Sequence, residues 1–309
     1  MRHKDFIEVH DYTADEVREI FELARDIKKN PDKFRDALRG QTLAMIFEKS
    51  STRTRVSFEV GMFQLGGHAL FLSSRDIQLG RGEPITDTAR VLSRYVDGIM
   101  ARTFAHKTVT DLAEYAIVPV INGLTDLCHP CQSMTDYFTA WEHLGELKGR
   151  KLAYVGDGNN MAHSLMFAAP KVGMDIAVAT PASYAPDAGV IAQVKQDADA
   201  AGTKLILTHS MEEAVSGADV VETDVWASMG QEDEAEKRKK DFAGWIVDKK
   251  IMSAAKRDAI FMHCLPAHRG EEVAADVIDS PQSVIFDEAE NRLHIQKAIM
   301  VYLMKERKK

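Results

Sequence analysis

"KLAYVGDGNNMAHSLMFAAPKVGMDIAVAT" (Lys151–Thr180) decides the fold of this chain. "KLAYVG" is a short apolar run that reads as a buried strand. A Gly-containing turn follows, a helical pattern starts at Met161, and "DIAVAT" returns to strand. A strand, a helix and a strand in succession form a parallel unit, because parallel neighbours need a long crossover between them. The alternation continues with a helix over 187–200, strand "KLILTH", helix "MEEAVSG", strand "ADVVETD" and later strand "DAIFMHCL". Upstream, Leu43–Phe47, "HALFL", Val96–Met100 and Ile117–Ile121 read as strands, with helices over Thr13–Lys29 and Thr52–Leu65. The expectation is an α/β fold of two domains, each a parallel sheet flanked by helices, with ligands at the carboxyl ends of the strands. The charged, Gly-containing "GELKGR" (Gly145–Arg150) marks the join, giving domains 1–145 and 146–290.

Bulk properties narrow the function. A length of 309 residues suits two cores better than one. The net charge of −8 sets the chain against phosphate backbones, so a general nucleic-acid binder is not expected. No apolar run approaches the ~18 residues of a membrane span, and "MRHKDFIEVH" lacks a signal-peptide core. Three cysteines, Cys128, Cys131 and Cys264, make no disulfide framework, so a cytoplasmic setting with reduced thiols is expected. Cys128 and Cys131 form C-x-x-C around His129. With no second ligand cluster at zinc spacing, packing and loop geometry are the expected role, and no metal.

Local patterns add detail. Val17, Ile20, Phe21, Ala24 and Ile27 line one face of the N-terminal helix, with Thr13 and Glu16 placed as a capping box. In Thr52–Leu65, Val56, Val60 and Phe63 form one apolar stripe and Phe58, Met62 and Leu65 another, which predicts a helix buried on both sides and ended by Gly66-Gly67. "GQEDEAEKRKKD" (Gly230–Asp241) offers the pairs Asp233/Lys237, Glu234/Arg238 and Glu236/Lys240, consistent with a solvated helix or with a lid over a site.

The most informative corner is "SSTRTR" (Ser50–Arg55), where a strand gives way to a helix. A helix start presents unpaired N–H groups and the positive end of its dipole, which suits an anion. Ser51, Thr52 and Thr54 add hydroxyl donors, and Arg53 and Arg55 add fork-shaped charge that can grip two oxygens of a phosphate. The Gly-rich turn and Lys of a Walker A loop are missing.

"FEKSSTRTRVSFE" closely resembles the carbamoyl-phosphate loop of the aspartate and ornithine carbamoyltransferase family. The likeness covers essentially the whole chain. "DIQLGRGEPITDTARVLSRY" (Asp76–Tyr95), "MARTF" (Met100–Phe104), "HPCQ" (His129–Gln132), "GDGNNMAHS" (Gly156–Ser164), "DVWASMGQ" (Asp224–Gln231), "HCLPAHRGEEV" (His263–Val273) and "EAENR" (Glu288–Arg292) recur in family order. The last four look like the ornithine branch.

The resemblance implies attack of ornithine's δ-amine on carbamoyl phosphate through a tetrahedral oxyanion, giving citrulline and phosphate, as in arginine biosynthesis. It implies that Ser51, Thr52, Arg53 and Thr54 bind the phosphate and that Arg102 bridges phosphate and carbonyl oxygen. Gln78 and Arg292 complete that side, Gln132 binds the carbamoyl amide, and His129 acts as a hydrogen-bond donor to the oxyanion with Arg102 and Thr54. Cys264 and Asp224 lie beside the δ-amine, with Cys264 able to accept its proton and the Leu265 carbonyl able to hold it; an alkyl-ammonium, with a pKa near ~10.4, must lose that proton. Asn160, Asp224, Ser228 and Met229 hold the amino-acid end. By the same resemblance the site lies in the interdomain cleft, a helix at about 291–309 packs back on the first domain, and no cofactor is used. The loop holding Gln78 approaches a neighbouring subunit's site in this family, which implies a homotrimer. Because the ligands are split between the two halves, ordered entry is expected: carbamoyl phosphate first, then closure of the domains and of the "SMGQ" segment over ornithine.

Rival readings fail on residues. "YVGDGNN" begins a dinucleotide fingerprint, but its third glycine position is Met161 and the next strand ends without an acidic residue. A non-catalytic sensor would have lost a chemical residue, whereas Arg53, Arg102, His129, Asp224 and Cys264 are all present. Catabolic use, or a related amine such as putrescine, remains the alternative within the reaction class.

Overall fold

The computed structural model describes residues 3–75, 82–227 and 232–305. Nine strands alternate with helices along them: β1 (Thr42–Phe47), β2 (His68–Ser73), β3 (Gly98–Arg102), β4 (Val120–Leu124), β5 (Lys151–Val155), β6 (Asp175–Ala179), β7 (Leu205–Thr208), β8 (Val220–Thr223) and β9 (Ile260–Met262). The helices are α1 (Ala14–Lys29), α2 (Thr52–Gln64), α3 (Ile85–Tyr95), α4 (His106–Tyr115), α5 (Pro130–Leu144), α6 (Asn160–Val172), α7 (Ala188–Ala201), α8 (Met211–Val215), α9 (Ala235–Asp241), α10 (Lys249–Met252), α11 (Ala275–Ile278) and α12 (Ile285–Met304).

The chain divides into two compact units, Met1–Met134 with Asn291–Lys309, and Thr135–Glu290. The division falls inside α5 and inside α12, and not in the loop at residue 145. Each unit holds one wholly parallel sheet, in the order β2-β1-β3-β4 in the first and β7-β6-β5-β8-β9 in the second. Strand order reverses between β1 and β3 in one sheet and between β5 and β8 in the other. The connections after these strands diverge, leaving a crevice at the carboxyl ends where ligands bind in open α/β sheets.

Local chemistry explains most of the elements. Thr13 and Glu16 form the capping box of α1, whose buried face is Val17, Ile20, Phe21, Ala24 and Ile27. β3 and β4 each begin a few residues later than their apolar runs suggest. For β4 the reason is visible: Pro119 has no N–H to give a ladder, so Val120 opens the strand, and Ile117 is exposed. Gly66 ends α2 in the left-handed region at φ 80°, where a Cβ would sit 2.6 Å from the Arg35 carbonyl oxygen.

The Val56 and Phe63 stripe of α2 is a correction. Phe58, Met62 and Leu65 are buried as expected, but Val56 is 49% and Phe63 81% exposed. α2 packs one face onto its unit, with Gly61 close against Met300 of α12, and turns the other outward. Leu70 and Phe71 of the edge strand β2 are also exposed.

Candidate active site

The first switch point gathers positive charge. Ser51 caps α2, its hydroxyl accepting from Thr54 N–H at 3.2 Å, so Thr52, Arg53 and Thr54 occupy the first helical turn. Arg102 ends β3 beside Phe47 of β1, and its carbonyl accepts from Glu48 N–H at 2.9 Å. His129 stands just before α5, where its carbonyl accepts from Gln132 N–H at 3.0 Å. Arg292 of α12 joins these segments: Nη2 donates to Thr54 Oγ1 at 2.9 Å, and Nη1 donates to Gln132 Oε1 and faces His129 Nε2 at 3.4 Å. Thr54, Arg102, His129, Gln132 and Arg292 are all buried.

Burial holds the His129 imidazole well below its usual pKa, and the guanidiniums of Arg292, Arg102 and Arg53 push the same way. His129 is therefore neutral at neutral pH and keeps one N–H to donate. A helix start and fixed guanidiniums around a neutral donor suit an anionic group carrying a carbonyl.

Arg55 departs from this set. It lies two residues from Arg53, about 200° around the helix. Its Nε donates to Glu59 at 3.0 Å and its guanidinium sits 3.8 Å from the Phe71 ring centre. Gln78 lies outside the described residues.

The second switch point gathers negative charge. Asp224 follows β8, and Asn160 opens α6 after β5; both are buried. Asn159 caps α6, accepting from Met161 N–H at 2.9 Å, while its Nδ2 donates to Asp224 Oδ2 at 3.4 Å. Asp224 Oδ1 accepts from Val225 N–H at 2.8 Å and from the Cys264 thiol at 3.3 Å. Burial pushes the Cys264 thiol well above its usual pKa, reinforced by Asp224, Glu288, Asp136 and Glu222. The resting state is a thiol donating to a carboxylate, because burial and the surrounding acids disfavour a thiolate there.

The segment bearing Cys264 is fixed from several sides. His263 N–H donates to Glu288 Oε2 at 2.9 Å; its Nδ1 accepts from Leu265 N–H at 2.9 Å, and its Nε2 lies 3.2 Å from the buried Glu272 Oε1. Leu265 stands in the left-handed region at φ 59°. Cys264 and Leu265, expected to reach carbamoyl phosphate as well, belong to this second unit. Ser228 and Met229 lie outside the described residues.

Asn159, His263 and Glu272 are site residues that the sequence reading did not single out. Each was detectable as a helix-capping Asn or as a neighbour within a quoted motif. The second glycine of "GDGNN" has a packing reason: a Cβ on Gly158 would stand 2.4 Å from Pro186 N. The charged stretch, of which Gly230 and Gln231 lie outside the described residues, forms a largely exposed helix with one buried side chain. Arg238 of α9 is buried and donates to Asp157 Oδ2 at 2.6 Å, to the Trp226 carbonyl at 3.0 Å and to Glu234 Oε2 at 3.0 Å.

Among the described residues, three groups have donor atoms within 4.8 Å of one another, close enough to suit a metal ion: Asp224 with His263 and Cys264, Glu8 with His106 and Cys128, and His268 with Glu271 and Glu272. The C-x-x-C pair is split. Cys128 belongs to the second group, whereas buried Cys131 donates to the Asn122 carbonyl at 3.4 Å, with its pKa pushed up to about 12 by burial. No helix among the described residues is long and apolar enough to cross a membrane.

Known proteins resemble the chain throughout. Residues 4–142 match the aspartate/ornithine carbamoyltransferase carbamoyl-P binding domain, and residues 148–303 match the Asp/Orn binding domain of the same family. An ornithine carbamoyltransferase from Carboxydothermus hydrogenoformans is 59% identical over 305 residues, covering 98% of each chain. The anabolic ornithine carbamoyltransferase of Pyrococcus furiosus is 58% identical over 303 residues, covering 97% of this chain and 96% of that one. Among solved structures, a Pyrococcus furiosus ornithine carbamoyltransferase superposes with a TM-score of 0.95 at 58% identity, covering 99% of this chain and 98% of that one. The Thermus thermophilus enzyme gives 0.88 at 40% identity, covering 98% and 100%. With both sheets, both switch-point clusters and both family domains accounted for, the chain belongs to the aspartate/ornithine carbamoyltransferase family of enzymes.

Proposed function

We propose that the chain transfers the carbamoyl group of carbamoyl phosphate to the δ-amine of L-ornithine, giving L-citrulline and phosphate. The observation that carries this reading is the opposite charge of the two switch-point clusters: guanidiniums around His129 for the anionic donor, and Asp224 with Cys264 for a cationic amine. The high identity to relatives named ornithine carbamoyltransferase supports it.

In this reading Ser51, Thr52, Arg53 and Thr54 take the phosphate at the start of α2, and Arg292 with Gln132 fixes the carbamoyl end. Gln78 adds a contact from its loop. As the amine attacks, negative charge gathers on the carbonyl oxygen, where Arg102, Thr54 and the neutral His129 donate to it. The bond to phosphate then breaks, with the leaving group already neutralised by the same guanidiniums. The amine must shed a proton before it attacks. Asp224 is the anion beside it, and a cationic nitrogen seated there offsets the acids that hold Cys264 protonated, so thiol and carboxylate handle the proton together. Asn160, Ser228 and Met229 hold the amino-acid end, and Leu265 the nitrogen.

The direction proposed is synthesis, for arginine biosynthesis in the cytoplasm, in keeping with a 58% identical relative named anabolic. A homotrimer is proposed as well, supported by the exposed apolar Val56, Phe63, Leu70 and Phe71 on α2 and the edge strand; light scattering should give a multiple of the 34.4 kDa chain by three. The decisive assay offers carbamoyl phosphate with ornithine, N-acetylornithine, putrescine or aspartate and identifies the ureido product. Citrulline from ornithine is the expected outcome. Carbamoyl-putrescine or carbamoyl-aspartate as the main product would overturn the assignment.

A further inference from the structure

Outside these clusters, the first unit contains a directed chain of hydrogen bonds that starts near the N-terminus and ends one residue before His129. Glu8 Oε1 lies 2.9 Å from His106 Nε2, both side chains being partly exposed. His106 Nδ1 lies 2.9 Å from Thr125 Oγ1. Thr125 Oγ1 accepts from Cys128 N–H at 3.3 Å, and Thr125 N–H donates to the Cys128 carbonyl at 2.9 Å. In the tautomer that donates Nε2–H to the Glu8 carboxylate, Nδ1 accepts from the Thr125 hydroxyl, whose oxygen takes the Cys128 N–H; the same hydroxyl also lies 3.3 Å from the Cys128 carbonyl oxygen. Cys128 is thus gripped at both its N–H and its C=O, and the next residue is His129.

The other end of the chain is equally anchored. Residues 4–8 lie along the edge of the sheet beside β4. Phe6 N–H donates to the Val120 carbonyl and Asn122 N–H to the Phe6 carbonyl, each at 2.8 Å. Lys4 Nζ separately donates to the carbonyls of Ala113 and Ala116, at 2.6 and 2.8 Å. The segment therefore has two kinds of attachment, one that leads to the Thr125–Cys128 turn and one that does not.

We propose that Glu8, His106 and Thr125 are positioning residues for His129: together they set the turn from which its imidazole meets the carbamoyl group. A ring displaced by an ångström loses most of a donor's value to developing charge. This inference rests on the reading that His129 contacts carbamoyl phosphate.

The test compares Glu8→Ala, His106→Ala and Thr125→Val with Thr125→Ser and with Lys4→Ala. The first three should each raise the KM for carbamoyl phosphate roughly tenfold, the scale of losing an outer orienting partner, with the ornithine KM unchanged. Thr125→Ser keeps the hydroxyl and should behave as wild type. Lys4→Ala should lower the melting temperature without changing either KM. Glu8→Ala combined with Thr125→Val should cost no more than one alone, since each breaks the same chain. The ring resonances of His129 in the ligand-free protein give a readout independent of the reaction: they should move in Glu8→Ala and Thr125→Val and stay put in Lys4→Ala. Variants that alter melting alone, with the KM and the His129 resonances at wild-type values, would overturn the proposal. Failure of the wild type to bind carbamoyl phosphate would instead overturn the reading beneath it, leaving the resonance comparison as the test of positioning.

Discussion

The two units repeat one architecture and invert its electrostatics. In the first, burial depresses the pKa of a histidine, and Arg292, Arg102 and Arg53 push the same way. In the second, burial raises the pKa of a cysteine, and Asp224, Glu288, Asp136 and Glu222 push the same way. Both arrangements have the same result, since burial and a like-charged environment each disfavour ionisation of the residue at the centre. The first cluster presents a neutral imidazole among cations and the second a neutral thiol beside the Asp224 carboxylate. A parallel sheet supplies the crevice, and the residues on its rim decide which sign of ligand it accepts.

The contrast can be broken from the cationic side first. Arg292→Leu removes the donor shared by Thr54, Gln132 and His129, and should lower kcat/KM for carbamoyl phosphate by roughly 10²- to 10³-fold or more. In the same variant the His129 pKa should rise toward its ordinary value, followed by the ring resonances in a pH titration. Arg53→Gly should likewise cripple donor binding, whereas Arg55→Gly should leave donor affinity much closer to wild type, because Arg55 faces Glu59 and Phe71.

On the anionic side, Cys264→Ala should lower kcat by about 10²-fold, the low end for losing a group that handles a proton, with carbamoyl-phosphate affinity little changed by calorimetry. Full turnover across pH in that variant would remove Cys264 from the proton's path.

The inverted fields also predict opposite pH responses of stability. Buried Glu222 has its pKa raised well above 4.5 by burial, then by Asp136, Glu288 and Asp224. The folded state therefore holds a proton that the unfolded state releases, so this group's effect on stability worsens as pH rises through and above the unfolded value. Glu222→Gln should be spared that loss, which runs at about 1.4 kcal/mol per pH unit while the folded group stays protonated. His129 is the mirror case. Its depressed pKa means that below about 6.5 the unfolded state binds a proton that the folded state refuses, so stability falls as pH falls. His129→Gln should flatten that acid limb. Urea midpoints measured from pH 5 to 8 check both signs.

The smallest expected effect lies on the surface. Phe63→Ser changes an exposed side chain and should shift the stability of a dissociated chain by less than about 0.5 kcal/mol. A much larger fall, accompanied by a lower molecular mass in solution, would locate the subunit contact on α2.

Much of this was legible along the chain. Period-two and period-3.6 patterns place the sheets, and the capping box at Thr13 fixes the start of α1. Motif order also named Thr54, Arg102, His129, Gln132 and Arg292, which the fold gathers in the first unit, and Asp224 and Cys264, which it gathers in the second. The apolar pattern of α2 misled because period alone cannot distinguish a stripe facing a core from one left outside. The protonation of Cys264 was equally hidden, since it depends on burial and on Asp224, Glu288, Asp136 and Glu222, far apart in sequence and close in the fold.

The sequence by itself determined the alternation of parallel strands and helices, the anion-seeking start of α2 and the set of chemical groups available, because these depend on local spacing and residue type. Tertiary structure alone decided that Arg53 joins the His129 cluster while Arg55 turns to Phe71, that Arg292 reaches Thr54 and Gln132 from the far end of the chain, and that Cys128 and Cys131 go to different partners. Contacts and fields depend on distance through space, and a protein's charge states follow from that distance.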